Sequence, residues 1–312
     1  MGNQRLRVFA PATIANIGPG FDVLGLALSS PGDTLEAELS SARGVEIVEV
    51  TGDGGRLSRD PIKNVAGRAA ADVLRRAGSS KGLRLWLHKQ MPLASGLGSS
   101  GASSAAGAVA ANEILGRPLS PRDVVLSAME GECAASGTPH ADNVAPSVMG
   151  GFVLVRSYDP FEVVPLPVPD GLRVAVVHPH CQVSTAQARR LVKEHTYGLD
   201  VIVPNIGSVA ALIAALYRDD LPLLGRSIDD RIIEPLRATL IPGFAAVKHA
   251  ALNAGALGCS IAGSGPSVFA FADSDDAAER IGAAMQAAFI SAANLDSDLF
   301  SGHVSAQGAR VV

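Results

Sequence analysis

Gly96-Leu97-Gly98-Ser99-Ser100-Gly101 is the segment of this 312-residue chain with the clearest chemical potential. Paired glycines let a backbone turn tightly, and the N–H groups that follow can face an anion at the start of a helix. Ser99 and Ser100 add hydroxyls that reach phosphate oxygens or a magnesium ion. The segment satisfies G-x-G-x-x-G, which raises a dinucleotide site. Its setting argues against one. Seven residues separate it from the preceding alternating strand, and the residues near position 120 read as loop and helix rather than as a strand ending in an acid. A Walker loop fails because no Gly-Lys-Ser/Thr follows. At this level a purely packing role for the Gly/Ser/Ala stretch stays open.

The elements that must present this loop read as mixed α and β. Short apolar or β-branched runs at Leu6–Phe9, Val23–Leu28, Thr34–Leu39 and Val45–Val50 predict strands. Apolar residues at helical spacing between Asn64 and Ala77 predict a helix that Gly78 ends. Gly82–His88 alternates, with Leu83, Leu85 and Leu87 on one face and Arg84, Trp86 and His88 on the other. A small-residue helix from Ala102 to Leu115 follows the loop, and another covers Pro121 to Ala135. Four prolines between Asp159 and Gly171 mark the division between two lobes. Beyond it the pattern predicts a strand over Leu172–Val177 and helices near Thr185–Lys193, Val203–Leu216, Phe244–Ala254 and Ala277–Ala288. Strands are expected at Cys259–Ile261 and Ser267–Phe271, with closing strands at Gly302–Val304 and Ala309–Val312.

Composition narrows the function classes. Hydrophobic residues make up 47% and charged residues 18% of the chain, enough for a sizeable core. The net charge of -4 carries no basic excess, which argues against nucleic acid as a partner. Cys133, Cys181 and Cys259 are far apart, without the spacing of a zinc site or a disulfide framework, and suit a reducing compartment. The uncharged stretches 90–112 and 249–272 are rich in Ser, Gly and Ala, so neither reads as a membrane span. Pro11, Asn16 and Pro19 break any apolar leader. The expectation is a soluble cytoplasmic protein with no membrane partner.

Three segments together carry a family resemblance. Pro92 to Ala102 (PLASGLGSSGA) resembles the phosphate-binding motif of the GHMP kinases, the superfamily of galactokinase, homoserine kinase and mevalonate kinase. APATIANIGPGFDVLGLAL (10–28) and GCSIAGSGPSVFAF (258–271) stand where that superfamily keeps its other two motifs. Within it, ANIGPGFDVLG, SGTPHADNVAPSVMGGF (136–152) and IIEPLRATLIPGF (232–244) are similar to the homoserine kinase family. Two departures are Ile14, where that family more often has a small or hydroxyl residue, and Gly101, where alanine is common. The resemblance implies an α+β, two-lobed GHMP kinase fold. Its N-terminal lobe (1–165) would be like domain 2 of ribosomal protein S5, with a left-handed βαβ crossover, and its C-terminal lobe (166–312) ferredoxin-like.

The resemblance also implies roles. Pro92, Leu93, Ala94, Ser95, Gly96, Leu97, Gly98, Ser99, Ser100 and Ala102 would bind ATP, with Asn64 on the adenine side unless it is a plain helix cap. Ser100 and Glu132 would hold Mg2+, a hard cation suited to oxygen ligands; otherwise Glu132 is a solvated helix carboxylate. L-Homoserine would be bound by Asn16, Asp22, His140, Asp142, Asn143, Arg189 and Arg237. Asp22 or Asp142 suits the α-ammonium, and the arginines suit the α-carboxylate unless they are surface ion-pair partners. Asn143 would orient the hydroxyl, with Asp142 a second choice as base. The implied activity is ATP-dependent phosphorylation of homoserine by a homodimer. Competing readings are another GHMP-type kinase, acting on a sugar or a mevalonate-like acid, a dinucleotide oxidoreductase, and a non-catalytic relative. Intact Glu132, Ser100 and Asn143 speak against the last.

Overall fold

The computed structural model describes residues 5–136 and 140–312. Its first sheet has seven strands. β1 (Leu6–Ala15), β2 (Leu24–Ser40), β3 (Gly44–Thr51) and β4 (Gly82–His88) pair in the order β1-β2-β4-β3, and β5 (Phe152–Tyr158) pairs both β2 and β6 (Phe161–Leu166). β3 and β4 run parallel, joined by helix α1 (Val65–Arg76). Helices α2 (Ser99–Ile114), α3 (Pro121–Ser136) and α4 (Ala141–Met149) complete this half.

α2 is the hub, and its small residues are the reason. It packs against α1, α3, α4 and the sheet, with Gly101 to Asn112 buried. A Cβ on Gly107 would lie 2.3 Å from the Ala66 carbonyl oxygen, so the backbones of α1 and α2 meet where no side chain fits. Ser104 satisfies its buried hydroxyl by donating to Ala128 O at 2.6 Å. The packing role of the Gly/Ser/Ala stretch is therefore real along the helix body, and it leaves the helix start free for other work.

The second sheet is antiparallel, in the order β10 (Ser297–His303), β7 (Arg173–Pro179), β9 (Val268–Ala272), β8 (Gly258–Ile261). Around it lie α5 (Thr185–Lys193), α6 (Leu199–Arg218), α7 (Leu221–Arg226), the four-residue α8 (Glu234–Arg237), α9 (Phe244–Asn253) and α10 (Asp275–Ala293). A last strand, β11 (Arg310–Val311), returns to pair with β1.

Several expectations meet a different structure. The two strands expected over 23–39 are one long β2, because residues 24–27 pair with β1 and β5 and residues 34–40 with β1 and β4. The proline-rich 159–171 segment contains β6, which tolerates Pro165 because it is an edge strand paired only to β5. A division after residue 165 falls within β6, and β11 puts the chain's end in the first sheet. Trp86, on the strand face opposite Leu83, Leu85 and Leu87, is nonetheless buried, because the Arg5 guanidinium covers its ring at 3.7 Å. α6 starts before the expected Val203, with Pro204 inside it. Among the described residues it is the one helix long and apolar enough to cross a membrane, a feature the reading of other uncharged stretches passed over.

Candidate active site

A cleft of about 670 Å³ opens where the start of α2 faces the β1–β2 loop, the starts of α4 and α5, and the β8–β9 loop. The glycine loop is held there by backbone. Gly98 caps α2 in a left-handed conformation (φ 64°), and its carbonyl accepts the first helical bond from Ala102 N at 2.8 Å. The N–H groups of Ser99, Ser100 and Gly101 thus form the open first turn, at the positive end of the helix dipole. Gly96 (φ 83°) passes so close to the β8–β9 loop that a Cβ would sit 2.6 Å from Ala262 O. Ser267 donates from its hydroxyl to Ser95 O at 2.6 Å, so the C-terminal motif buttresses the phosphate-type loop.

Behind the loop lies a buried ion pair that the sequence reading did not single out. The Lys89 ammonium meets the Asp33 carboxylate and donates to Ser99 O at 2.8 Å and to Ser103 Oγ at 2.9 Å. Burial pulls the ammonium below the usual lysine range while Asp33 opposes that shift. The available signal was Lys89 directly after an alternating strand, with Ser99 and Ser103 four positions apart on one helix face.

Glu132 comes from α3, and Ser100 Oγ donates to its Oε2 at 3.1 Å. Burial, with Asp142 nearby, raises its carboxyl to about 7, opposed by Ser100 and Lys89. Asp142 and Asn143 begin α4, a helix no periodicity predicted because Pro146 interrupts it. Asp142 is raised to about 7, mainly by burial and then by Asp22, with Arg189 and Arg237 opposing. Thr13 donates its hydroxyl to Asn143 Oδ1 at 2.8 Å, fixing which edge of that amide faces the cleft. Residues 137–139 of the 136–152 motif lie outside the described residues.

The remaining expected groups converge from distant segments. Arg189 on α5 donates to both carboxylate oxygens of Asp22 at 3.0 Å and lies 3.5 Å from His140 Nδ1. Burial lowers the His140 imidazole, and Arg189 adds to that. Asn16 and Arg237 donate to the same carbonyl, Gly263 O, each at 2.8 Å. The Arg237 guanidinium is 4.9 Å from the Phe21 ring centroid. Tyr158 ties two of these segments together, accepting from Ala141 N and donating to Asp22 O.

Sixteen of the expected positions line the cleft: Asn16, Asp22, Asn64, Leu93, Ala94, Ser95, Gly96, Gly98, Ser99, Ser100, Glu132, His140, Asp142, Asn143, Arg189 and Arg237. Three do not. Leu97 and Ala102 are wholly buried in the core, and Pro92 lies off the lining. Asn64 lines the cleft, but its amide is engaged as the cap of α1. Its Oδ1 accepts from Ala66 N at 3.0 Å and its Nδ2 donates to Ser58 O at 2.8 Å. Arg56, Ser58, Lys63, Thr185 and Ser264 also line the cleft, and sequence reasoning missed them for want of a recognisable spacing.

Ser100 and Glu132 offer two oxygen donors on one side of the loop, a set that fits Mg2+ completed by phosphate oxygens and water. Among the described residues no group of three or more His, Cys, Asp or Glu forms a metal cluster of its own. A helix start under a glycine–serine loop, with a carboxylate beside it and a charged pocket beyond, suits phosphate and a small charged molecule, and the family models give the class, the GHMP kinases. Residues 64–151 match the family model "GHMP kinases N terminal domain" and residues 212–291 "GHMP kinases C terminal".

Within that class the chain belongs to the homoserine kinase family. The homoserine kinase of Chlorobium phaeobacteroides is 49% identical over 97% of this chain and 98% of its own length. That of Arabidopsis thaliana is 45% identical, covering 98% of this chain and 84% of its own. The crystal structure of homoserine kinase from Cytophaga hutchinsonii superposes with a TM-score of 0.95 at 49% identity, over 100% of this chain and 98% of that one. The L. major mevalonate kinase structure, with a TM-score of 0.73 at 19% identity over 95% of both chains, shares the fold alone.

Proposed function

We propose that this chain is an ATP-dependent homoserine kinase. It transfers the γ-phosphoryl group of ATP to the side-chain hydroxyl of L-homoserine, giving O-phospho-L-homoserine in threonine biosynthesis. One observation carries the substrate assignment. Asp142 Oδ1 and Arg237 Nε are both buried at the cleft, carry opposite charge, and have no hydrogen-bond partner among the described residues. Leaving such polar atoms of charged side chains buried and unpartnered is costly, and a zwitterion answers both at once. Its ammonium suits Asp142 and its carboxylate suits Arg237. Asp22 and Arg189, already paired, complete a ring of two carboxylates and two guanidiniums that stays balanced when a zwitterion enters. A sugar or a mevalonate-like acid would leave the Asp142 carboxylate without a cation.

Phosphoryl transfer depends on positioning and charge stabilisation more than on covalent chemistry. Gly96, Gly98, Ser99 and Ser100 would cradle the phosphates on the N–H groups opening α2. Ser100 and Glu132 would hold Mg2+, which supplies charge neutralisation on the phosphates. Asn143, locked by Thr13, would orient the acceptor hydroxyl in line with the γ-phosphate. Asp142 is given to the ammonium, so no dedicated general base is assigned.

The expected homodimer is supported by one stripe of α6. Leu199, Val203, Ile206 and Tyr217 lie on a single helix face at 74%, 61%, 61% and 64% exposure. A cytoplasmic site of action suits a biosynthetic enzyme whose two substrates are small and soluble.

The test is ADP release coupled to oxidation of NADH, with homoserine, mevalonate and galactose offered as acceptors. Homoserine should be turned over with the highest kcat/KM, and its product should gain one phosphate by mass spectrometry. Faster turnover of mevalonate or galactose would overturn the assignment.

A further inference from the structure

Arg237 ends α8, a helix of one turn, and such a short helix has little intrinsic stability. Something outside it must set where its last residue points. The segment just before it supplies one side chain that does so. Asp230 is buried, and its carboxylate accepts three backbone hydrogen bonds. Ile232 N and Ile233 N donate to Oδ1, and Glu234 N donates to Oδ2, all at 2.9 Å. Ile233 O in turn accepts from Arg237 N at 3.0 Å, which closes the turn carrying the guanidinium. We propose that Asp230 is a positioning residue for acceptor recognition: its carboxylate folds the 230–234 turn that presents Arg237 to the acceptor's carboxylate. This rests on the reading that Arg237 binds that carboxylate.

The surroundings favour a role in the site over a general contribution to stability. Asn205 on α6 accepts from Arg231 N at 3.1 Å and donates to Pro19 O at 3.5 Å, linking this turn to the Asn16–Asp22 loop. Tyr197 donates its hydroxyl to Ile232 O at 2.7 Å. The turn is therefore registered against the same loop that supplies Asn16 and Asp22. Asp230 also contributes attraction to the Arg237 charge, which has little solvent to stabilise it. Rotating or shifting the turn would displace the guanidinium from Gly263 O, to which it donates at 2.8 Å.

The experiment is a double-mutant cycle between Asp230 and Arg237, read with two acceptors. Homoserine carries the carboxylate; 3-amino-1-propanol is the same amino alcohol without it. Asp230→Ala should lower kcat/KM for homoserine by about 10- to 100-fold, the scale of a 1 Å misplacement. The loss for 3-amino-1-propanol should be several-fold smaller, and KM for ATP should stay within about twofold, since removing a turn contact far from the phosphates leaves ATP binding uncoupled. In the Arg237→Ala background, Asp230→Ala should cost homoserine almost nothing more, because coupled residues are non-additive. Asp230→Asn keeps an oxygen for two of the three N–H groups and should fall between wild type and Asp230→Ala; it carries the test if the alanine variant does not fold.

Equal losses for both acceptors, or full additivity in the Arg237→Ala background, would overturn the proposal. The failure of the underlying reading looks different. In that case Arg237→Ala by itself would slow both acceptors by one factor, whatever Asp230 does.

Discussion

Asp142 and Glu132 are each raised to about 7 from ordinary values of 3.8 and 4.5, and in both the largest cause is burial. At residue scale this sets a sign for stability. Between pH 3.8 and about 7 folded Asp142 keeps a proton that the unfolded chain gives up, so stability falls as pH rises through that window. Above it the deficit is constant. Asp142→Asn never ionises. It should melt above wild type at pH 8, the gap should close towards pH 4, and homoserine turnover should be lost. An equal or lower melting temperature at pH 8 would show that the buried carboxylate is not destabilising. Glu132 belongs to the other substrate. Glu132→Ala should leave the circular dichroism spectrum intact while lowering kcat by orders of magnitude at saturating magnesium, and near-wild-type turnover would remove it from the metal site.

At the scale of elements, the phosphate-type loop and α4 act as one unit. A Cβ on Gly98 would come within 2.0 Å of Thr13 Oγ1 and 2.7 Å of Asn143 Oδ1, at a φ of 64° that only glycine adopts freely. Gly98→Ala should therefore raise KM for ATP and also lower kcat, because it displaces the amide that orients the acceptor. A change confined to KM for ATP, measured in steady state, would mean that the loop and Asn143 are independent. This coupling was not legible in the sequence. Gly96 to Ser100 announced itself by spacing, as did the strand holding Leu83, Leu85 and Leu87. Thr13 and Asn143 are 130 positions apart, and Asp33 and Lys89 are 56 apart, so neither pairing leaves a local pattern. α4 and β6 were hidden for a related reason. Pro146 and Pro165 break the local signal, and tertiary packing overrides it.

Across the whole molecule, the site exists only because both halves meet. The β8–β9 loop of the second sheet supplies Gly263 O to Asn16 and to Arg237, and Ser267 holds the loop that precedes α2. Family motifs in the right order pointed to these segments. The partition of charge among them is set by the fold, because the sequence left Asp22 and Asp142 equivalent, as it did Arg189 and Arg237. Pairing Asp22 with Arg189 separates the members of each set. Phe21 lies beneath both guanidiniums, 5.9 Å from Arg189 and 4.9 Å from Arg237, so one aromatic ring backs both charges. In such a setting hydrogen bonds to charged groups are worth roughly 1.5–3 kcal/mol each. The central claim is that this pocket reads a zwitterion, and the most direct measurement is kcat/KM of wild type and Arg237→Ala for homoserine and 3-amino-1-propanol. Wild type should prefer homoserine by about a hundredfold or more, the loss expected when a charged partner is left unpaired. Arg237→Ala should erase most of that preference by slowing homoserine alone. If the substitution slows both compounds by the same factor, Arg237 does not read the carboxylate and the pocket assigned to homoserine is wrong.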